Sequence, residues 1–222
     1  MTTFIPEELA DMRLKLGEHF YYGNAKDTSS RSLAFPLELN DPSVRNQTIY
    51  IQTPFLFIPF GLNSYKQRKD SVYQKYSLNV SLRNPEDNQK VEMLQKFLTR
   101  LDNWIDKTVT ENAEEWDISL EDKRHYSLVC THEKAPPFLQ LKLPEYKGVF
   151  HVELTTANGD VLDSPTVEQL CSHVEKQSYA RFIIELMPVW TNAVGWGSSL
   201  RVKKIQVLNK YATKANVQFR DN

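Results

Sequence analysis

Between residues 75 and 109 the spacing of apolar side chains changes from every second position to every third or fourth. That change of period constrains the fold more than any other feature of the chain. In Lys75–Leu82, the residues Tyr76, Leu78, Val80 and Leu82 alternate with Lys75, Ser77, Asn79 and Ser81. A strand turns successive side chains to opposite faces, so this segment reads as a strand with one buried face. Val91, Leu94, Leu98, Leu101, Ile105 and Val109 then recur at the spacing that lines one face of a helix. Asn84-Pro85 punctuates the change and Asp87 or Asn88 supplies a cap, which predicts a helix at about 88–112.

Strand patterns flank this helix on both sides. Thr48–Thr53 and Phe55–Phe60 surround Pro54, and Gly61 ends the run. After the helix come Phe138–Leu143 and Val149–Thr155, then Ala180–Met187 and Ser199–Leu208. Asn158-Gly159 predicts a type I′ turn between Phe150–Ala157 and Asp160–Leu162. Ser164 is the expected cap, and Pro165 the first residue, of a short helix. In the last strand Leu200 and Val202 share one phase while Ile205 and Val207 share the other. An inserted residue at Lys203-Lys204, a β-bulge, returns all four to the core, and such bends help small barrels close. The expected fold is therefore mainly β with α insertions (α+β): an OB-like β-barrel of five or six strands with a long inserted helix. Residues 1–45 read as a partly ordered N-terminal arm with a helical turn within Pro6–Leu16 and a polar turn at Gly23–Arg31. The barrel spans 46–210, and 211–222 form a C-terminal tail.

The formal net charge of −1 conceals strong segregation. Residues 60–83 carry five cations against one carboxylate, and residues 181–214 carry six against one. Residues 84–122 hold eleven carboxylates against four cations. Two basic strand segments are thus balanced by one acidic helical segment. Lysines and arginines beside aromatic rings suit a single-stranded nucleic acid, since cations follow phosphates and rings stack on bases. The same pattern also describes a solvated face over an aromatic core. The candidate DNA-binding residues are Phe60, Tyr65, Lys66, Arg68, Lys69, Lys75, Trp190, Trp196, Arg201, Lys203 and Lys204. Of the rings, Phe60, Tyr65 and Trp196 adjoin turns and are the expected platforms. Trp190, at a strand end, and Tyr76, in the apolar phase, are expected in the core.

Motifs of catalysis are missing from the chain: no GxGxxG, GxxxxGK, GxSxG or HExxH occurs. An enzyme is the class this sequence supports least, and no cofactor is implied. Cys130-Thr-His132 and Cys171-Ser-His173 offer zinc-ligand chemistry. On a helix, however, i and i+2 diverge by about 200°, so buried cysteines with ordinary histidines are expected instead of a metal site. Two cysteines do not make a disulfide framework, and a reducing compartment is expected. The opening MTTFIPEELADMRLKLG has no apolar core of a signal peptide. No run reaches membrane-span length.

Two segments together resemble a known family. FIIELMPVWTNAVGWGSSLRVKKIQVL, from Phe182, has a Trp ending an apolar strand, a Gly seven residues on, and an alternating basic strand. It is similar to the closing hairpin of the single-stranded DNA-binding proteins of nucleocytoplasmic large DNA viruses, through Trp190, Gly197, Arg201, Val202, Ile205, Gln206 and Val207. QTPFLFIPFGLNSY, from Gln52 to Tyr65, resembles the family's TP–apolar–PFG segment. KYSLNVSL and the long helix containing Asp102 and Asn112 to Trp116 follow it in the family's order. The likeness covers about 48–208. Leu200 stands where the family often has a second aromatic, with Trp196 as a substitute. The ending VQFRDN lacks the acidic tail by which some relatives recruit partners. The resemblance implies an OB-like fold, single-stranded DNA as ligand, and a non-catalytic role in viral replication, recombination or repair, with replication proteins as further partners. It implies the host cell's cytoplasmic viral factory or nucleus, or the virion, as location. The rival reading is a structural or minor virion protein whose barrel mediates assembly.

Overall fold

The computed structural model describes residues 2–22, 32–40, 48–66, 74–83 and 88–208. In chain order these form β1 (Thr2–Phe4), a 3-10 turn (Pro6–Glu8), β2 (Leu14–Leu16), β3 (Phe20–Tyr22), β4 (Ser32–Phe35) and β5 (Leu37–Leu39). There follow β6 (Ile49–Gln52), β7 (Leu56–Ile58), β8 (Leu62–Lys66), β9 (Gln74–Ser81) and helix α1 (Gln89–Asn112). Next come β10 (Arg124–Tyr126), β11 (Val129–His132), β12 (Ala135–Leu143), β13 (Glu145–Tyr146), β14 (Val149–Phe150), β15 (Glu153–Thr155) and β16 (Val161–Asp163). Helix α2 (Val167–His173), β17 (Ser178–Leu186), β18 (Val189–Asn192), β19 (Gly195–Gly197) and β20 (Leu200–Val207) complete the order. The chain is mainly β with two α-helices among the described residues.

The main sheet contains a circuit of pairings. β17 is antiparallel to β7, and β7 meets β9 at Phe57↔Ser81. β9 is antiparallel to β12 from Phe138↔Ser81 to Leu143↔Tyr76. β12 runs parallel to β20 at Leu141↔Leu200 and Lys142↔Arg201, and β20 is antiparallel to β17. β6 and β7 pair with successive halves of β17 on either side of Pro54, which has no N–H to give the ladder. Thr53 bridges that break: its N–H reaches the Phe182 carbonyl and its Oγ1 accepts from the Phe182 N–H, both at 2.9 Å.

Alternation places the core as the period demands. Leu78, Val80, Leu82, Leu139, Leu141, Ile184 and Val202, on the inward phase of these strands, are fully buried. Each such side chain contributes about 1.5–3 kcal/mol relative to an exposed one. Tyr76 is half-buried, its ring edge-on to Phe150 at 5.1 Å. The bulge lies where the phase switches: Ile183 pairs with Lys204 and Ile184 with Val202, leaving Lys203 as the extra residue. Leu200, Val202, Ile205 and Val207 are accordingly all buried.

A second sheet has the order β10-β19-β18-β4-β3 and packs against α1. The helix starts one residue inside the expected 88–112, capped by Asn88, whose side chain accepts from the Val91 N–H. Its predicted apolar face is buried.

Several local expectations differ from the structure. Within Pro6–Leu16 only Pro6–Glu8 is helical, and Leu14–Leu16 pairs with β5. The segment expected as an arm is woven into both sheets: β1 lies parallel to β6, and β4 pairs with β18. The Asn158-Gly159 corner is not a type I′ turn. Thr156 and Asp160 close a three-residue loop in which only Gly159 has positive φ, +94°, as in a type I turn followed by a bulge glycine. The cap of α2 is Thr166, which accepts from the Gln169 N–H while Gln169 accepts from the Thr166 N–H. Ser164 instead turns the chain at φ +54°. The Gly23–Arg31 turn and the tail 211–222 lie outside the described residues.

Candidate nucleic-acid interface

Because the inward phase of β7, β9 and β12 is apolar, their outward phase forms one continuous face. Register aligns Tyr179, Phe57, Ser81 and Phe138 in a row across β17, β7, β9 and β12. Along β9 and β12 the next outward rows are Asn79↔Gln140 and Ser77↔Lys142, and the latter continues to Arg201 on β20.

The first part of this face is a ring-lined trough. Phe57, Pro59, Phe60, Arg83, His132, Pro136 and Phe138 border an open cavity of ≈ 370 Å³. Phe60 is 61% exposed at its rim. The Arg83 guanidinium lies 3.8 Å from the Phe57 ring centroid and donates to the Tyr179 hydroxyl. The Phe57 and Tyr179 rings are 5.2 Å apart. On the floor, Asn79 has a buried Oδ1 without a hydrogen-bond partner among the described residues.

The second part is cationic. Tyr65, 40% exposed, stands opposite Lys75 in the β8–β9 ladder, and Lys66 opposite Gln74. Lys66 and Lys75 are exposed. The Lys142 ammonium donates to Ser199 Oγ at 2.7 Å. Crowding of that ammonium by protein, and then the Lys75 charge, hold Lys142 below the ordinary lysine range.

The predicted cations of β20 are occupied. Arg201 grips Glu185 through two 2.7 Å hydrogen bonds, and Lys203 reaches the same carboxylate at 3.2 Å. Glu185 is 8% exposed, so it needs those partners. Lys204 lies on Glu153 at 2.9 Å. Arg68 and Lys69 lie outside the described residues.

Trp190 and Trp196 are not on this face, and Trp196 is the more deeply buried of the two. Trp196, expected as a platform, is 8% exposed, and its Nε1 donates to Asp106 of α1 at 3.0 Å. It is drawn inside because β10 lies parallel to β19: a Cβ on Gly197 would sit 2.4 Å from the Tyr126 carbonyl oxygen. Trp190, expected in the core, is half-buried on the opposite side of that sheet, 5.6 Å from the Tyr126 ring.

Arg83, Phe138, Lys142 and Tyr179 were not among the predicted site residues. The available signal was strand phase. Phe138 and Lys142 occupy the outward phase between Leu139, Leu141 and Leu143, and a ring on a polar phase is an invitation to a ligand. Behind the face, Asp102 of α1 is buried and accepts from the Leu128 and Val129 N–H groups at 2.8–3.1 Å. Burial nevertheless holds its pKa above the ordinary range. Among the described residues no three metal-ligating side chains come together, and no helix is long and apolar enough to cross a membrane.

No family model and no curated protein matches the chain. Among solved structures, the single-stranded DNA binding protein encoded by bacteriophage T7 is similar over 73% of this chain and 87% of its own, with a TM-score of 0.47 and 11% identity.

Proposed function

We propose that this chain is a non-catalytic protein that binds single-stranded DNA, largely without regard to sequence, across the outward face of β7, β9, β12 and the start of β20. The carrying observation is the union on one face of a trough walled by Phe57, Phe60 and Phe138 with cations that have no carboxylate partner among the described residues. Rings stack on any base, and charge engages any phosphate. A duplex hides the flat faces of its bases, so a trough of this kind favours unpaired strands. The Asn79 amide oxygen lacks a donor among the described residues, and a base edge entering the trough supplies one.

We read the circuit β17-β7-β9-β12-β20-β17 as an OB-like barrel. The parallel β12–β20 step and the long helix between β9 and β12 support that reading. The motif resemblance extends it to the single-stranded DNA-binding proteins of large DNA viruses, acting in replication, recombination or repair with replication proteins nearby. The viral factory, nucleus or virion belongs to the same proposal.

The test is fluorescence polarisation with labelled oligothymidine and with a duplex, each at two ionic strengths. Preferential binding of the single strand, weakening steeply with salt, is expected. Equal binding of the duplex, or association only between copies of the protein and indifferent to salt, refutes it in favour of an assembly role.

A further inference from the structure

We infer that Lys75 and Lys142, backed by Ser199, form a clamp for a single phosphodiester group of the bound strand. The inference rests on the single-strand reading above and adds to it the place where the backbone is held.

Four observations carry it. First, the clamp sits on the binding face: Lys142 is an outward neighbour of Ser77, and Lys75 is one same-face step from Ser77 along β9. Lys142 is also four residues from Phe138 on β12, about 13 Å at the rise of a strand. A strand whose bases occupy the trough therefore has its backbone within reach. Second, these two cations are uncompensated. Arg201 and Lys203 share Glu185, and Lys204 has Glu153, but neither Lys75 nor Lys142 has an ion-pair partner among the described residues. Third, the β9–β12 register sets Lys75 and Lys142 diagonal to one another on the same face, and after burial the Lys75 charge is what disfavours the charge on Lys142. Like charges on diagonal positions of one ladder are relieved by an anion between them. Fourth, the Lys142 head is already held on Ser199 Oγ, and Ser199 is fixed by the bond from the Met187 N–H to its carbonyl. A pre-positioned ammonium gives up little freedom when it binds.

Tyr65 stands directly opposite Lys75, which places a ring beside the clamp. One nucleotide can therefore be held at both ends, its base on Tyr65 and its phosphate between the lysines.

The experiment measures oligothymidine affinity against salt for the full chain and for Lys75→Gln, Lys142→Gln, the double variant and Lys142→Arg. Each single Gln variant is expected to bind about fivefold more weakly at low salt. Each should also flatten the log–log salt slope by about 0.7, the value for one single-strand phosphate. The double variant should lose less than the product of the two, and flatten the slope no further, since the clamp needs both lysines and either substitution already releases the phosphate. Lys142→Arg restores the slope. A second readout is protonation: at alkaline pH wild-type binding takes up protons as the phosphate restores the Lys142 charge, and Lys142→Gln abolishes that uptake. Unchanged slope and unchanged proton uptake in Lys142→Gln, with Phe60→Ala still weakening binding, overturn the clamp and leave the single-strand reading standing. Wild-type protein that ignores the single strand overturns both.

Discussion

Phe60→Ala separates binding from stability because of where the ring sits. Phe60 is 61% exposed at the rim of the trough, just before Gly61 turns the chain at φ +70°. Truncating it opens no enclosed cavity, so the loss of folding stability should stay within about 0.5 kcal/mol. If the ring stacks on a base, its removal costs about 1–3 kcal/mol of binding, or about 5- to 150-fold in Kd. The salt slope should not change, because no phosphate contact is lost. Trp196→Phe is the natural control. It removes the 3.0 Å hydrogen bond to Asp106 from inside the protein and should lower stability by about 1–2 kcal/mol, with binding close to wild type. The assays are polarisation titration with labelled oligothymidine at fixed salt and urea denaturation followed by circular dichroism. Phe60→Ala protein with both wild-type affinity and wild-type stability refutes the argument that this ring is a stacking surface.

Three further outcomes are expected. Gly197→Ala drives a methyl to 2.4 Å from the Tyr126 carbonyl oxygen, and forcing β10 away should cost about 1–3 kcal/mol; an unchanged thermal melt would contradict the tight parallel pairing. Asp102, whose pKa is raised by burial, binds its proton more tightly folded than unfolded. Its contribution to stability is therefore fully present below the ordinary carboxylate pKa and declines as pH rises through the raised value. The stability difference between wild type and Asp102→Asn should fall over that window, and parallel pH profiles would show the assignment to be mistaken. Cys130 has its thiol pKa pushed up by burial and then by the Asp102 charge, whereas Cys171 is exposed on α2. A thiol-reactive dye should label one cysteine fast and one slowly, and Cys171→Ser should remove the fast phase; persistence of that phase would rule out the expected order.

Much of the site was readable only in outline. Phe60 and Tyr65 adjoin turns, Lys75 lies on the polar phase of its strand and Lys66 follows Tyr65, and all four are exposed. Arg201 and Lys203 are cations of a basic strand in the same way, yet a chain read linearly does not show that Glu185 on the neighbouring strand occupies both. Trp196 adjoins a turn, as surface rings do, but its place depends on a strand seventy residues earlier lying beside it. The trough is assembled from β7, β9, β12 and the residues around them, so no single segment displays it.

The amino-acid sequence alone determined those features that depend on a side chain's phase within its own segment. These are the buried faces of β9, β12 and β20, the extent of α1 with its cap narrowed to Asp87 or Asn88, and the bulge at Lys203-Lys204. Water is excluded residue by residue, so periodicity over eight or more positions records which side faces the core. Tertiary structure alone decided which strands are neighbours, which cations meet carboxylates, and which rings stay open. Strands of three residues such as β1, β3 and β10 are too short to display a period, and an ion pair across a sheet is a property of register between distant segments.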